Sequence, residues 1–148
     1  MAGHCVLIIS QPGPLRHGLQ ALLSSMPNVE TVAVAAHARA ALQSIRRCQP
    51  AMVLLDSSLP GEGFLPLLKQ IKVRWPQLQC LVLADGTEQQ RQAQTAKADG
   101  VLLKGVSATR LSAAMERLLT EAVRFEREAA AAEQQRRDIE RKATADER

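Results

Sequence analysis

The stretch Ala51-Met-Val-Leu-Leu-Asp-Ser-Ser-Leu-Pro-Gly61 decides the fold. Its first five residues, Ala51 to Leu55, are uninterruptedly apolar and lie between Pro50 and the turn at Pro60-Gly61. A run of that length between turn formers reads as a strand buried on both faces, the habit of parallel sheets. It ends in one carboxylate, Asp56. Open α/β sheets place their ligand and reaction sites at the carboxyl ends of strands, which makes Asp56 the first candidate functional residue.

Working outward, Val6-Leu-Ile-Ile9, Cys80-Leu-Val-Leu-Ala84 and Val101-Leu-Leu103 have the same uniformly apolar character, and Val29 to Val34 alternates with mixed faces. Helical spacing fills the intervals. Leu15, Leu19, Leu22 and Leu23 predict a helix from Pro14 to Met26, stopped by Pro27-Asn28. Ala41, Leu42 and Ile45 mark a second over His37 to Cys48, and Phe64, Leu67, Leu68 and Ile71 a third running to about Trp75. Glu88 to Lys97 holds only Ala93 and Ala96 as apolar residues, so a short, weakly anchored helix is expected there, with Thr87 as its N-cap and Gln90 three residues later. Ser107 caps a last helix carrying Leu111, Met115, Leu118 and Leu119.

Strand then helix, five times over, means a parallel sheet with helices on both faces and right-handed crossovers. In such a layout the first, third and fifth strands can sit side by side. Their carboxyl ends carry Ser10-Gln11, Asp56 and Lys104.

Size and composition narrow the function. The chain has 148 residues, 46% apolar and 23% charged, enough for one packed domain with an appendage. The aromatics are Phe64, Trp75 and Phe125 alone, which argues against a stacking platform for single-stranded nucleic acid. Residues 1–118 hold 12 Lys and Arg against 7 Asp and Glu, and residues 119–148 hold 7 against 8. That surplus is too dispersed to be an electrostatic footprint for DNA, and nucleic acid is not the expected partner of this chain alone. Cys5, Cys48 and Cys80 show no metal-ligand spacing and read as small apolar residues in a reducing compartment. His4, His17 and His37 are scattered and suit surface or helix-cap roles rather than a metal. There is no signal peptide and no run approaching a membrane span, so a cytoplasmic location is expected.

Residues 120–148 differ from the body: they hold no Gly or Pro and are rich in Ala, Glu, Gln and Arg. The division is a body over 1–119 and a helical extension over 120–148, the last helix continuing to about Ala143. Leu111, Leu118, Phe125, Ala132 and Ile139 recur at strict seven-residue spacing, one half of a heptad seam. The other half, taken as Ala114, Glu121, Glu128 and Gln135, is mostly polar, with Met115, Ala122 and Ala129 flanking the seam. A weak dimerising coiled coil, a solvated helix and packing back onto the body are all compatible with that pattern.

With these elements in place, residues 5 to about 119 resemble a response-regulator receiver domain, in the flavour of NarL/FixJ-type regulators. The carriers are Val6-Leu-Ile-Ile9 with Leu15-Arg-His-Gly-Leu19, Pro50-Ala-Met-Val-Leu-Leu-Asp56 with Leu59-Pro-Gly61, Arg74-Trp-Pro76, Leu81-Val-Leu83 and Asp99-Gly-Val-Leu-Leu-Lys104. The resemblance implies a flavodoxin-like (βα)5 fold with strand order 2-1-3-4-5, here with a long C-terminal helix. It also implies phosphoryl transfer from a phosphohistidine kinase to one Asp, with an acidic pair holding Mg²⁺, a hydroxyl residue and a Lys that pairs with the phosphoryl group. Asp56 matches the acceptor and Lys104 the Lys. The acidic pair aligns with Ser10 and Gln11, the hydroxyl position with Ala84 and the aromatic switch position with Val101.

Those departures shape the expectation. Mg²⁺ is a hard cation that takes oxygen ligands, usually carboxylates and phosphates. With Ser10 and Gln11 in place of acids, Asp56 is the one carboxylate assigned to the pocket, and Mg²⁺ binding is expected to be weak or absent. Asp85 could offer a further carboxylate near the site, but it lies one residue past its strand. The resulting reading is a divergent pseudo-receiver with no enzymatic activity of its own, acting as a phosphorylation-independent protein-interaction module in bacterial signalling or transcriptional control. The alternative is a phospho-accepting regulator working through Asp56, with DNA-binding output missing or supplied by a partner. The implied partners are a kinase, a regulator or an output protein. A homodimer is expected, through the C-terminal helix or the face made by the fourth helix, fifth strand and fifth helix.

Overall fold

The computed structural model describes residues 3–146. It runs β1 (His4–Ile9), α1 (Pro14–Ser24), β2 (Val29–Ala35), α2 (Ala38–Cys48), β3 (Met52–Asp56), α3 (Phe64–Arg74), β4 (Gln79–Ala84), α4 (Thr87–Thr95), β5 (Gly100–Leu103) and α5 (Ala108–Asp146). The strands form one parallel sheet in the order β2-β1-β3-β4-β5. β3 is buried at every position, as its unbroken apolar run implies, with α/β layers covering both faces. Side chains alternate across the sheet. Leu7, Ile9, Val53, Leu55, Cys80 and Val82 meet α2, α3 and α4 on one face. Val6, Ile8, Met52, Leu54, Leu81 and Leu83 meet α1 and α5 on the other.

β4 separates β5 from β3. The first, third and fifth strands are therefore not neighbours: only β1 and β3 pair directly. The apolar pattern identifies strands but carries no order, whereas the order 2-1-3-4-5 implied by the family resemblance is the one observed. Thr87 is not a cap. Gly86 holds the N-cap position with extended backbone and no side-chain bond, and Thr87 begins the helix. His37 does cap α2, its Nδ1 accepting the Ala40 N–H at 3.2 Å. The Ser107 hydroxyl accepts from Arg110 N–H at 3.2 Å at the start of α5. Cys80 is buried, and that burial pushes its thiol up to about 12. Cys5 and Cys48 are only half-buried, a departure from the fully apolar reading.

α5 corrects the picture of the extension in two ways. Packing does not stop at residue 119. Ala122 is 6% exposed within the core, and Glu126 lies 3.3 Å from His4 at the start of β1. Of the seven-spaced residues, Leu111 and Leu118 turn into the body, Phe125 is half-buried, and Ala132 and Ile139 are exposed. The row that completes the buried stripe is Met115 and Ala122, one residue on from Ala114 and Glu121. Positions three and four apart are both neighbours on a helix, so the sequence left two candidate partner rows, and the sheet's position selects between them.

Candidate functional site

The carboxyl ends of β1, β3 and β4, with the residue after β5, enclose a small polar cluster around Asp56. Asp56 is 8% exposed and both of its oxygens are engaged within the chain. Ser10, which ends the β1 run and is 2% exposed, donates its hydroxyl to Asp56 Oδ2 at 2.9 Å. The Ser58 backbone N–H donates to Oδ1 at 2.8 Å. Lys104 Nζ lies 2.5 Å from the same Oδ1. Arg16, one turn into α1, donates from Nε and Nη2 to the Ser10 carbonyl at 3.1 and 2.6 Å and so holds the β1 end in place.

Lys104 bridges two carboxylates. Besides Asp56 it lies 2.8 Å from Asp85 Oδ1, and it donates to the Ser58 hydroxyl at 2.6 Å. Asp85 Oδ2 accepts from the hydroxyls of Ser57 and Ser58 at 2.9 and 2.6 Å. Lys104 reaches Asp56 from two strands away with only a methyl, that of Ala84, at the end of the intervening strand. Gly105 at φ +92° turns the chain directly after it, a left-handed geometry that favours glycine.

The electrostatics follow from this bridge. Hydrogen bonding from Lys104, and next from Ser58, holds the Asp85 carboxyl at about 2, below its ordinary 3.8. For Lys104, burial works against the charge, but the hydrogen bonds to Asp56 and Asp85 outweigh it and raise its pKa above the ordinary 10.5. The signs give a pH dependence. Asp85's contribution to stability is fully present above about pH 4 and is lost as the pH falls through about 2. The Lys104 contribution is fully present below about 10.5 and is lost only in stronger alkali. Because the Asp85 side chain is 46% exposed, its pair is screened and contributes under about 1 kcal/mol. Denaturant midpoints measured between pH 2 and 6 should fall more steeply toward acid for the wild type than for Asp85→Asn. Parallel profiles would show that the Asp85–Lys104 pair adds nothing.

The structure thus brings Ser10, Asp56 and Lys104 together as the sequence suggested. It adds Ser57, Ser58 and Arg16, which sequence reasoning left out of the pocket, and it places there Asp85, which the sequence offered as a carboxylate near the site. Asp56 is not the only carboxylate there. The missed signal was the Ser57-Ser58 doublet directly after the strand-end carboxylate. Gln11 is exposed and makes no side-chain contact in the cluster among the described residues. Ala84 is fully buried and contributes no hydroxyl, whereas Ser57 and Ser58 supply two from the following loop. Val101 lies apart, half-buried against the α2–α4 side of the sheet.

A divalent cation at such a pocket needs carboxylate oxygens with lone pairs to spare. The Ser10 hydroxyl is spent on Asp56, and both carboxylates are committed to Lys104 and the serines. Among the described residues, no group of three or more His, Cys, Asp or Glu comes together to hold a metal. No helix among them is long and apolar enough to cross a membrane.

Comparison with known proteins agrees with this frame. The family model described as the response regulator receiver domain matches residues 6–116. The chain is 31% identical over 116 residues to the transcriptional activator protein ExaE of Pseudomonas putida, covering 77% of this chain and 54% of that one. It is 27% identical over 113 residues to the DNA-binding transcriptional activator DevR/DosR of Mycobacterium tuberculosis, covering 75% and 52%. The chain therefore spans about half the length of these curated relatives. Among solved structures, the receiver domain of NtrX from Brucella abortus superposes with a TM-score of 0.71 at 27% identity, covering 78% of this chain and 98% of that one.

Proposed function

The chain belongs to the response-regulator receiver family, and on that premise we propose that it is a receiver that works through protein contacts without phosphorylation of Asp56. The carrying observation is the closed state of the pocket: a neutral serine hydroxyl, Ser10, occupies Asp56 Oδ2, where the family's chemistry would call for an acid and its cation. Lys104, the group that would pair with an incoming phosphoryl oxygen, is already shared between Asp56 and Asp85. With no second free carboxylate, negative charge building on a transferring phosphoryl group has little to neutralise it. The module would act in bacterial signal transduction or transcriptional control, inside the cytoplasm. It would contact a regulator or output protein through the α4-β5-α5 face, where Val101 stands in place of an aromatic.

A second reading has its own observation. Asp56 and Lys104 remain within 2.5 Å of each other at the strand ends, so an acceptor and its phosphate-pairing Lys are both in position. On that reading the chain is a phospho-accepting regulator of transcription, with DNA binding supplied elsewhere. One experiment separates the two. The intact chain is incubated with acetyl phosphate or phosphoramidate and Mg²⁺ and examined by intact-mass spectrometry. The expected result is no stable adduct. An adduct that forms on the wild type and disappears in Asp56→Asn would sink the phosphorylation-independent reading.

A further inference from the structure

Two of the three thiols meet at the amino-terminal end of the sheet. Side chains alternate along β1, and Leu7 and Ile9 face the layer of α2, α3 and α4. Cys5 shares their parity and so points to the same layer. On α2, Ala41 and Ile45 form the buried stripe. Cys48, three residues beyond Ile45, continues that stripe at the last residue of the helix. The chain then turns back. Gln49 takes left-handed backbone at φ 47°, Pro50 follows, and the Ala51 N–H donates to the Cys5 carbonyl at 2.9 Å. The backbone three residues past Cys48 is thus pinned to Cys5, and the two thiols lie within interaction range of each other.

Neither thiol is sealed in the core. Both are half-buried, and Cys48 is flanked by exposed Arg47 and Gln49. Cys80 differs on each count. It lies fully buried on β4, with β3 between it and β1, and its thiol donates to the Leu78 carbonyl at 3.7 Å.

We propose that Cys5 and Cys48 form a reversible redox site, closing to a disulfide on exposure to a hydroperoxide and reopening with a small-molecule thiol. Cys48, with its exposed neighbours, is the sulfur an oxidant reaches first. As thiolate it attacks one peroxide oxygen and the O–O bond breaks. A sulfenic acid forms, and the other oxygen leaves as water or an alcohol. The Cys5 sulfur then displaces the sulfenic oxygen, which leaves as water. The two thiol protons go to the two departing oxygens, and two electrons pass into the broken O–O bond. Burial, and after it the facing Cys48, hold the Cys5 thiol above its ordinary 9.0, which suits it to the second step rather than the first. The bond staples the start of β1 to the end of α2 and closes a loop that holds α1, β2 and α2. In a reducing compartment such a bond is transient, which is the habit of redox-sensing pairs. The thiol pair acts independently of whether Asp56 accepts phosphate.

The test is mass spectrometry of the full chain after hydrogen peroxide, before and after dithiothreitol. Trypsin cuts at Arg16, Arg47 and Arg74, so each cysteine falls in its own peptide. The expected product has lost two hydrogens, gives a cross-linked pair of peptides holding Cys5 and Cys48, and reverts with dithiothreitol. Closing a loop of that size should raise the Tm of the oxidised chain by about 10 °C, a shift lost on reduction. Cys5→Ser and Cys48→Ser should each remove the link and the shift, and Cys80→Ala should keep both. The wild-type link is read directly, so a variant that fails to fold leaves the result standing. A link through Cys80, a disulfide between two chains, or oxidation with no Cys5–Cys48 link overturns the proposal. A link that lowers Tm overturns it too, because the two sulfurs would then meet only by distorting the fold.

Discussion

Leu54→Ala should cost about 3–5 kcal/mol of folding stability, the largest loss expected from a single truncation in this chain. Leu54 is 1% exposed and sits in β3, flanked by Ile8 of β1 and Leu81 of β4. Its side chain packs in the cluster that α1 and α5 cover. Removing three carbons there leaves a cavity between layers that are held apart by their neighbours and cannot collapse into it. Val34 is the control. It pairs with the same Ile8 from the other side but lies on the edge strand β2 and is 39% exposed. Val34→Ala should cost under about 1 kcal/mol, since its cavity opens to solvent. Urea denaturation of the two variants decides the matter. Similar losses at both positions would mean that β3 is not the centre of the core.

Lys104→Met should cost about 2–3 kcal/mol. The residue carries the one cation within contact of both Asp56 and Asp85. Methionine keeps much of the stem's packing but leaves the Asp56 carboxylate, with its side chain 11% exposed, without a counter-charge and facing a second carboxylate. Breaking a buried pair from one side costs more than the pair contributes, because the remaining charge is stranded. The figure is set below the fully buried case because Lys104 retains 23% exposure. Asp56→Asn should cost less, since an amide oxygen can still accept from Ser10 and from the Ser58 N–H. In the double variant the stranded charge is gone, so Asp56→Asn with Lys104→Met should lose clearly less than the two single losses added together. Additive losses, or a neutral Lys104→Met, would show that the contact at the strand ends is not an energetic link.

On the phosphorylation-independent reading proposed above, the strand-end cluster is where this receiver would depart from its family's chemistry. Its polar groups partner one another, two carboxylates with one ammonium and three serine hydroxyls, and no buried side-chain polar atom is left without a partner among the described residues. On that reading the surface left to interact is the α4-β5-α5 face.

The apolar runs Val6–Ile9, Ala51–Leu55, Cys80–Ala84 and Val101–Leu103 determined four of the five strands without reference to tertiary structure, because a strand covered on both faces must be apolar at consecutive positions, and the alternation from Val29 to Val34 marked the fifth. The turn formers between them determined the helices, and the strand-end position of Asp56 marked the pocket. The strand order was carried by the family resemblance, which implied 2-1-3-4-5, and not by hydrophobicity, which identifies a strand but not its neighbour. Two things were decided only in three dimensions. The place of Asp85 and Ser58 in the pocket is one. A loop residue joins a pocket according to where its chain turns, and Asp85, one residue past β4, falls within reach of a long Lys104 side chain that only the folded sheet brings near. The other is the true partner row of the α5 stripe. Rows three and four residues away are equally close on an isolated helix, and it is the sheet beneath Met115 and Ala122 that selects one of them.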